Sequence, residues 1–450
     1  MKITTVGAGY VGLVSGICLS DLGHDVVCVD NNPDRIAALN RGDVPIYEPG
    51  LAELLQRNVA AGRLSFSCDL GASVQGSHAV FICVGTPSLP DEGGANLRFV
   101  FAVAQELSAC IEPGTVVITK STVPVGTNRE VARLISQANP RLDFSVASNP
   151  EFLREGSAIR DFMYPDRVVA GVEDARGQGV VRDIYAPLSL RDVPVMITDI
   201  PSAELIKYSA NAFLAMKIGF INEISALCEA VGADVQSVSK GIGLDSRIGS
   251  RFLQAGPGYG GSCFPKDTRA LVRMGLDAGT PIEIVAAVER CNEEHKLRMV
   301  DKIESICGGD LSGKRVAVLG VTFKPETDDM REAPSLTILP ELSRRGATIV
   351  ITDPQGKKDG ERYFPYVQWV HDAYEAAVGS DVVVILTEWV DFLHLDLAAI
   401  SRSMRTPVMA DLRNIYSADI ASASGFSEYT SVGRKVRTCN ENANLTLIKK

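Results

Sequence analysis

The stretch Gly256-Pro257-Gly258-Tyr259-Gly260-Gly261-Ser262-Cys263-Phe264-Pro265-Lys266-Asp267 sets a thiol in a loop with four glycines. Such a backbone can approach a ligand closely, and Pro265 suits the first turn of a helix that reads on through Met274. Cys263 is thereby expected at a helix N-terminus with Lys266 nearby, and both the helix dipole and the cation favour a thiolate. A cysteine at an arbitrary position is more often an inert core residue. A polar, glycine-rich turn at a helix start reverses that balance and makes Cys263 a candidate nucleophile.

A second chemical feature lies at the chain's start. Gly7-Ala8-Gly9-Tyr10-Val11-Gly12 follows an apolar run and opens a helical pattern, and Asp30 ends the next β-branched run. A lone GxGxxG says little, but with strand, helix and acid all in place it reads as a dinucleotide cradle. Gly7 permits the turn, Gly9 admits a pyrophosphate, and Gly12 allows close helix–strand packing. Asp30 would accept from a ribose diol and repel a 2′-phosphate, which favours NAD over NADP, and Arg35 lies close enough to modify that preference. Farther on, Lys207 and Asn211 are four apart and share a helix face. By themselves they would be a solvated stripe; two strand ends, Lys120-Ser121-Thr122 and Asn149-Pro150-Glu151, supply polar groups where ligands gather in an open parallel sheet.

The elements that must position these groups follow from patterning. Strands are expected at Lys2–Val6, Asp25–Asp30, Ala79–Val84, Val116–Thr119 and Phe144–Ser148, with helices between them, as in a parallel sheet wrapped by helices. An amphipathic stretch, Ala203–Val231, closed by Gly232, predicts a spine helix ~43 Å long. Another runs from Ile282 to Ile306. After Lys314 the grammar restarts: strand Arg315–Leu319, helix Pro334–Arg345, strand Thr348–Thr352 and Asp353. Gly76–Cys83 also has a counterpart in Gly379–Leu386, by duplication or by convergence. The fold class is α/β, two Rossmann-like parallel-sheet domains joined by a central helical domain with the spine helix. Expected boundaries are 1–200, 201–309 and 310–436, with a tail at 437–450.

Composition narrows the function. With 450 residues the chain is too long for one ordinary core, and 46% hydrophobic with 22% charged residues is normal for a globular enzyme. A net charge of −10 argues against nucleic-acid binding. No apolar run approaches the ~20 residues that span a bilayer, and Met1–Val6 is strand-like rather than a signal core, so no membrane association is expected. The ten cysteines form no CxxC pair, and Cys18, Cys28, Cys83 and Cys228 lie in apolar runs, which suits a reduced, cytoplasmic protein. The five histidines show no ligand spacing, and no metal site is expected.

Taken together, GAGYVG, Tyr47-Glu48-Pro49-Gly50, Val84-Gly85-Thr86-Pro87, Lys120-Ser121-Thr122-Val123-Pro124, Asn149-Pro150-Glu151-Phe152-Leu153, the Lys207/Asn211 helix, the cysteine loop and Gly320-Val321-Thr322-Phe323-Lys324 resemble the UDP-glucose/GDP-mannose dehydrogenases, from Met1 to about Val436. GYGGSCFPKD is most similar to the branch that oxidises UDP-glucose to UDP-glucuronate with two NAD in turn. The resemblance implies Cys263 as nucleophile of a thiohemiacetal and thioester, with Lys207, Asn211 and Asp267 around it and Thr122 and Glu151 managing water. The base, Lys207 or a water held by Thr122, Glu151 and Asp267, stays open. It further implies Tyr10, Val11, Thr86, Glu155 and Arg331 by the cofactor. Phe152, Leu153, Arg247, Tyr259, Gly260, Lys324 and Arg413 would lie by the substrate, Arg247 reaching in from a partner of a homodimer. Rival readings are a GDP-mannose or UDP-N-acetylhexosamine dehydrogenase of the same chemistry, a two-electron dehydrogenase of the hydroxyacid or 6-phosphogluconate type, which needs no cysteine loop, and a non-catalytic NAD-binding protein.

Overall fold

Short β-branched runs between glycine turns become the strands of two sheets. In the computed structural model, which describes residues 1–89 and 93–438, the first sheet comprises β1 (Lys2–Val6), β2 (Asp25–Val29), β3 (Leu64–Ser67), β4 (Ala79–Ile82), β5 (Val116–Thr119), β6 (Ser145–Ser148), β7 (Val168–Val172) and β8 (Val195–Thr198). Their order is β3-β2-β1-β4-β5-β6-β7-β8. Every neighbouring pair is parallel except β6 and β7. Both faces are buried. On β4, Phe81 joins Ile3, Cys28 and Ile118 on one side, while Val80 and Ile82 join Val100, Leu107 and Val131 on the other. This two-sided burial explains why the strands read as continuous apolar runs.

The second sheet repeats the plan. Its strands are β9 (Arg315–Leu319), β10 (Thr348–Thr352), β11 (Gln368–Trp369), β12 (Val382–Ile385), β13 (Val408–Asp411), β14 (Glu428–Ser431) and β15 (Arg437–Thr438), in the order β11-β10-β9-β12-β13-β14-β15. The last pair is antiparallel and the others parallel. Here too alternate residues serve opposite cores: Val316 and Val318 in one, Ala317 and Leu319 in the other. Strands β4 and β12, which lie within the two matching segments seen in the sequence, occupy equivalent places beside β1 and β9.

Helices relevant to the site are α1 (Tyr10–Asp21), α2 (Thr127–Ala138), α3 (Ala158–Met163), α4 (Ile200–Val231), α5 (Phe264–Asp277), α6 (Glu283–Ile306) and α7 (Ser335–Arg344). The spine helix α4 starts three residues before the expected Ala203, because Pro201 is tolerated in a first turn, where its missing N–H is not needed. It stops at Gly232, whose φ of 79° and amide bond to the Cys228 carbonyl cap it. The second expected strand ends at Val29 rather than Asp30, whose carboxylate is drawn away to the Ala8 amide. The third ends at Ile82, and the Val84 carbonyl is taken by the Ser121 hydroxyl.

By contacts the chain forms two units, Met1–Asn211 with Arg269–Ile282, and Ala212–Thr268 with Glu283–Lys450. The helical residues 201–309 are thus shared between them, and α4 and α5 each run from one unit into the other. Of the expected tail, Arg437 and Thr438 pair with β14, and residues 439–450 lie outside the described residues. Among the described residues no helix is long and apolar enough to cross a membrane.

Candidate active site

The cradle in the first unit is built by three glycines with three distinct constraints. Gly7 has φ of 99°, and its amide donates to the Val29 carbonyl at 2.7 Å. A Cβ on Gly12 would lie 1.8 Å from the Gly7 carbonyl oxygen, so only glycine lets α1 come this close to the turn. A Cβ on Gly9 would meet nothing within 4 Å, and Gly9 caps α1 with no side-chain bond to the helix start. Open space in front of an uncapped helix N-terminus suits a pyrophosphate. Asp30 is buried; its Oδ2 accepts from the Ala8 amide at 2.8 Å and from Arg35 at 2.9 Å, and its Oδ1 from the Asn32 amide. The carboxylate expected for the ribose is therefore in place, with Arg35 already paired to it. The donor set fits NAD: amides for its phosphates and an anchored acid for its diol.

The polar strand ends of the same unit form a buried network. Thr86 donates its hydroxyl to the Thr122 carbonyl at 2.9 Å. Lys120 donates to Asn149 Oδ1 at 3.1 Å, which also accepts from the Tyr185 hydroxyl, while Asn149 Nδ2 donates to the Val169 carbonyl. Burial pushes the Lys120 ammonium down to about 8. Beyond this anchored Asn149, Glu151 Oε1 pairs with Lys207 Nζ at 3.1 Å, both side chains being buried. Glu151 Oε2 accepts from the Leu153 amide. Phe152 lies under the Arg167 guanidinium at 3.6 Å and within 5.3 Å of Lys207. Asn211 sits one helical turn beyond Lys207, also buried. One turn before Lys207, Glu204 accepts from the Gly126 amide and from Asn128 N and Nδ2 at 2.7–2.9 Å, which pins the start of α4 to the N-terminus of α2.

In the second unit the cysteine loop is held on every side. Gly256 donates to Asn222 Oδ1 at 3.0 Å, and its carbonyl accepts from His295 Nε2 at 2.7 Å. Asn292 clamps Tyr259 through both backbone groups. A Cβ on Gly260 would come within 2.3 Å of the Glu332 carbonyl, and one on Gly261 within 2.7 Å of the Phe323 ring. Cys263 directly precedes α5, and its carbonyl accepts the Asp267 amide in the first helical hydrogen bond. Its Sγ lies 3.6 Å from the Ser262 hydroxyl, and Asp267, fully buried, pairs with Lys266 at 2.5 Å. Cys263 is half-buried, whereas Cys28 and Cys83 are sealed in the core of the first unit and their thiols are pushed up to about 12.

Sequence-profile comparison decides the family. The profiles of the UDP-glucose/GDP-mannose dehydrogenase family match its NAD binding domain at residues 1–189, its central domain at 201–294 and its UDP binding domain at 317–418. The chain belongs to this family. It is 52% identical to UDP-glucose 6-dehydrogenase of Rhizobium meliloti (strain 1021), covering 96% of this chain and all of that one. With the UDP-glucose 6-dehydrogenase YwqF of Bacillus subtilis (strain 168) it shares 47%, over 97% of this chain and 98% of the relative. A solved UDP-glucose dehydrogenase from Pyrobaculum islandicum superposes with a TM-score of 0.86 at 40% identity, over 93% and 95% of the two chains. As a family member the chain is an NAD-dependent oxidoreductase, and the cradle around Gly7 lies in its NAD-binding domain.

The remaining family positions fall as follows. Glu155 lies in the loop between Glu151 and α3. In the second unit, Arg413 donates to the Phe323 and Leu386 carbonyls, and a Cβ on Gly256 would lie 3.5 Å from its guanidinium, so Arg413, Phe323 and the cysteine loop are neighbours. Lys324 lies over Phe323 at 5.7 Å. Arg331 pairs with Asp329, and its carbonyl accepts from Gly261. Arg247 is 88% exposed in its side chain and pairs with Asp245. The sequence reading missed Asn222, Asn292 and His295. Their signal is a polar residue on the apolar face of a helix, and their partners lie 33–39 residues away in the chain.

Proposed function

We propose that the chain oxidises the primary alcohol of UDP-glucose to the carboxylate of UDP-glucuronate in two steps on Cys263. The observation that carries this reading is the cysteine loop: a half-exposed thiol at the start of α5, on a backbone that three buried polar side chains and two glycine contacts hold in one shape. NAD supplies the hydride acceptor for each step. The alcohol loses its proton and a hydride from carbon 6. The Cys263 thiolate adds to the resulting aldehyde, the thiohemiacetal loses the second hydride, and water cleaves the thioester to release the acid and the thiolate. Paired with Glu151, Lys207 acts as an ammonium that steadies the oxyanions, with Asn211 beside it on the helix.

In this reading residues 1–200 hold NAD, 201–309 carry the cysteine loop and a subunit interface, and 310–436 hold UDP. Lys324, Arg413 and Tyr259 with Gly260 serve the sugar nucleotide. A homodimer is proposed because Phe213, Phe220 and Leu227, seven apart on α4, are all exposed; Arg247 would reach the partner's site. The proposed compartment is the cytoplasm, where NAD is supplied. Wild-type enzyme should release about two NADH per UDP-glucose consumed, one for each hydride removed, and prefer UDP-glucose to GDP-mannose and UDP-N-acetylmannosamine. Cys263→Ala should abolish sustained uronate formation. A near-normal rate in that variant would remove the covalent mechanism, and preference for another sugar nucleotide would remove the substrate assignment.

A further inference from the structure

The Tyr47-Glu48-Pro49-Gly50 segment has no part in the chemistry above, yet Glu48 is buried and its carboxylate is fully used. Oε2 accepts from the Tyr10 hydroxyl and from the Gly156 amide at 2.7 Å, and Oε1 accepts from the Ala158 amide at 2.8 Å. These donors belong to two different parts of the first unit. Tyr10 is the first residue of α1, in the middle of the glycine turn that faces the pyrophosphate. Gly156 and Ala158 close the loop that begins at Glu151 and lead into α3. A carboxylate taking three hydrogen bonds from two segments fixes both, because charge-assisted bonds are short and strong. The phenol is spent on Glu48, and burial beside that carboxylate pushes its ionisation far up. It is therefore a strut and not a proton donor to the reaction.

We propose that Glu48 is a positioning residue that ties the dinucleotide cradle to the Glu151–Gly156 loop, so that cofactor affinity and the placing of Glu151 depend on one buried carboxylate. The inference rests on the NAD-binding role of the cradle. It accounts for an α1 N-terminus that has no side-chain cap: the helix start is held from the side, through the Tyr10 hydroxyl, and no capping side chain competes with a phosphate for its amides. It also explains why the loop carrying Glu151 needs no regular secondary structure between β6 and α3.

The test compares Tyr10→Phe, Glu48→Gln and wild-type enzyme by fluorescence titration with NADH, titration with UDP, and steady-state kinetics. Tyr10→Phe removes one hydroxyl and leaves the two amide bonds of Glu48. It should raise the NADH Kd and the NAD KM about tenfold, in keeping with loss of one charge-assisted hydrogen bond, with kcat little changed. Glu48→Gln cannot accept at both ends, and should raise the NADH Kd at least as far and lower kcat as well, because the Glu151 loop is released. UDP affinity should stay within about twofold in both. NADH affinity unchanged in both variants would overturn the proposal. So would a parallel loss of UDP affinity and thermal stability in Tyr10→Phe, which would make the pair a general strut. Failure of the wild-type enzyme itself to bind NADH would instead strike the function proposed for the cradle.

Discussion

The two sheets turn their first corner in the same way and then diverge. After β1, Gly7 donates to the carbonyl that ends β2 and Ala8 donates to Asp30. After β9, Gly320 donates to the Thr352 carbonyl that ends β10 and Val321 donates to Asp353 at 2.7 Å. Both glycines have positive φ. In the first corner α1 begins at Tyr10 and its N-terminus stays uncapped. In the second the chain runs from Val321 to Pro334 before α7 begins. That inserted segment carries Phe323, Arg331 and Glu332, the groups that press on Gly260 and Gly261. The acids differ accordingly. Asp30 accepts from the Ala8 and Asn32 amides and from Arg35, a side chain that is 38% exposed, whereas Asp353 accepts from four amides, those of Val321, Thr322, Gln355 and Gly356, and from the buried Trp389 indole. One corner keeps its helix start for a ligand; the other uses the same space to hold the cysteine loop.

The comparison breaks most visibly at Gly260. A Cβ there would drive the cysteine loop off the Glu332 carbonyl, and a displacement of about 1 Å at a reacting group costs on the order of 10²-fold. Gly260→Ala should therefore lose at least that much kcat, with NADH affinity unchanged by titration. If kcat survived, the inserted segment would not be a clamp. The two acids offer the next contrast. Asp353→Asn must leave amide donors unmatched and should cost about 2–3 kcal/mol of unfolding free energy in urea. Asp30→Asn should instead change cofactor choice, narrowing the preference for NAD over NADP in kcat/KM. Equal stability losses in both would mean that both acids are merely structural. At Gly9 a Cβ enters open space, so Gly9→Ala should keep its unfolding midpoint yet weaken NADH binding about tenfold, an outcome expected only where a ligand fills the space.

Much of this was legible in the sequence, for a physical reason. Strands buried on both faces announce themselves as β-branched runs, and a glycine forced by a close approach, as at Gly7 and Gly12, has no substitute. The cradle, the strand ends bearing Thr122 and Glu151, the spine helix and the helix after Cys263 were all expected from such local signals. What stayed hidden depends on distant partners. Nothing near Glu48 says that Tyr10 and Gly156 will meet on it, and nothing near His295 says that a carbonyl of the cysteine loop needs its proton. The division of α4 and α5 between two units is equally invisible, because a continuous helix carries no local mark of a boundary between packed bodies.

The smallest expected effect separates the two regions by acid. His295 is buried and donates from Nε2 to the Gly256 carbonyl, and burial lowers its folded-state value to about 4. Unfolded, the imidazole would take a proton near its ordinary value of about 6.5. Between those limits the unfolded chain binds more protons than the folded one, so the neutral histidine's contribution is complete above pH 6.5 and is lost as pH falls toward 4. By linkage the loss should reach about 1 kcal/mol near pH 5.5. Denaturant unfolding of the wild-type enzyme should show that slope, and His295→Gln, whose amide can still donate to Gly256, should flatten it. The first unit has a buried histidine of its own, His24, whose Nε2 lies 2.9 Å from the Ile184 carbonyl and whose value burial also lowers, so part of the slope should persist in His295→Gln. His24 lies at the far end of α1 from the glycine turn, and NADH affinity should change little over the interval while the unfolding midpoint drops. An identical slope in His295→Gln would show that other groups, His24 first among them, govern acid lability and that His295 contributes nothing to it.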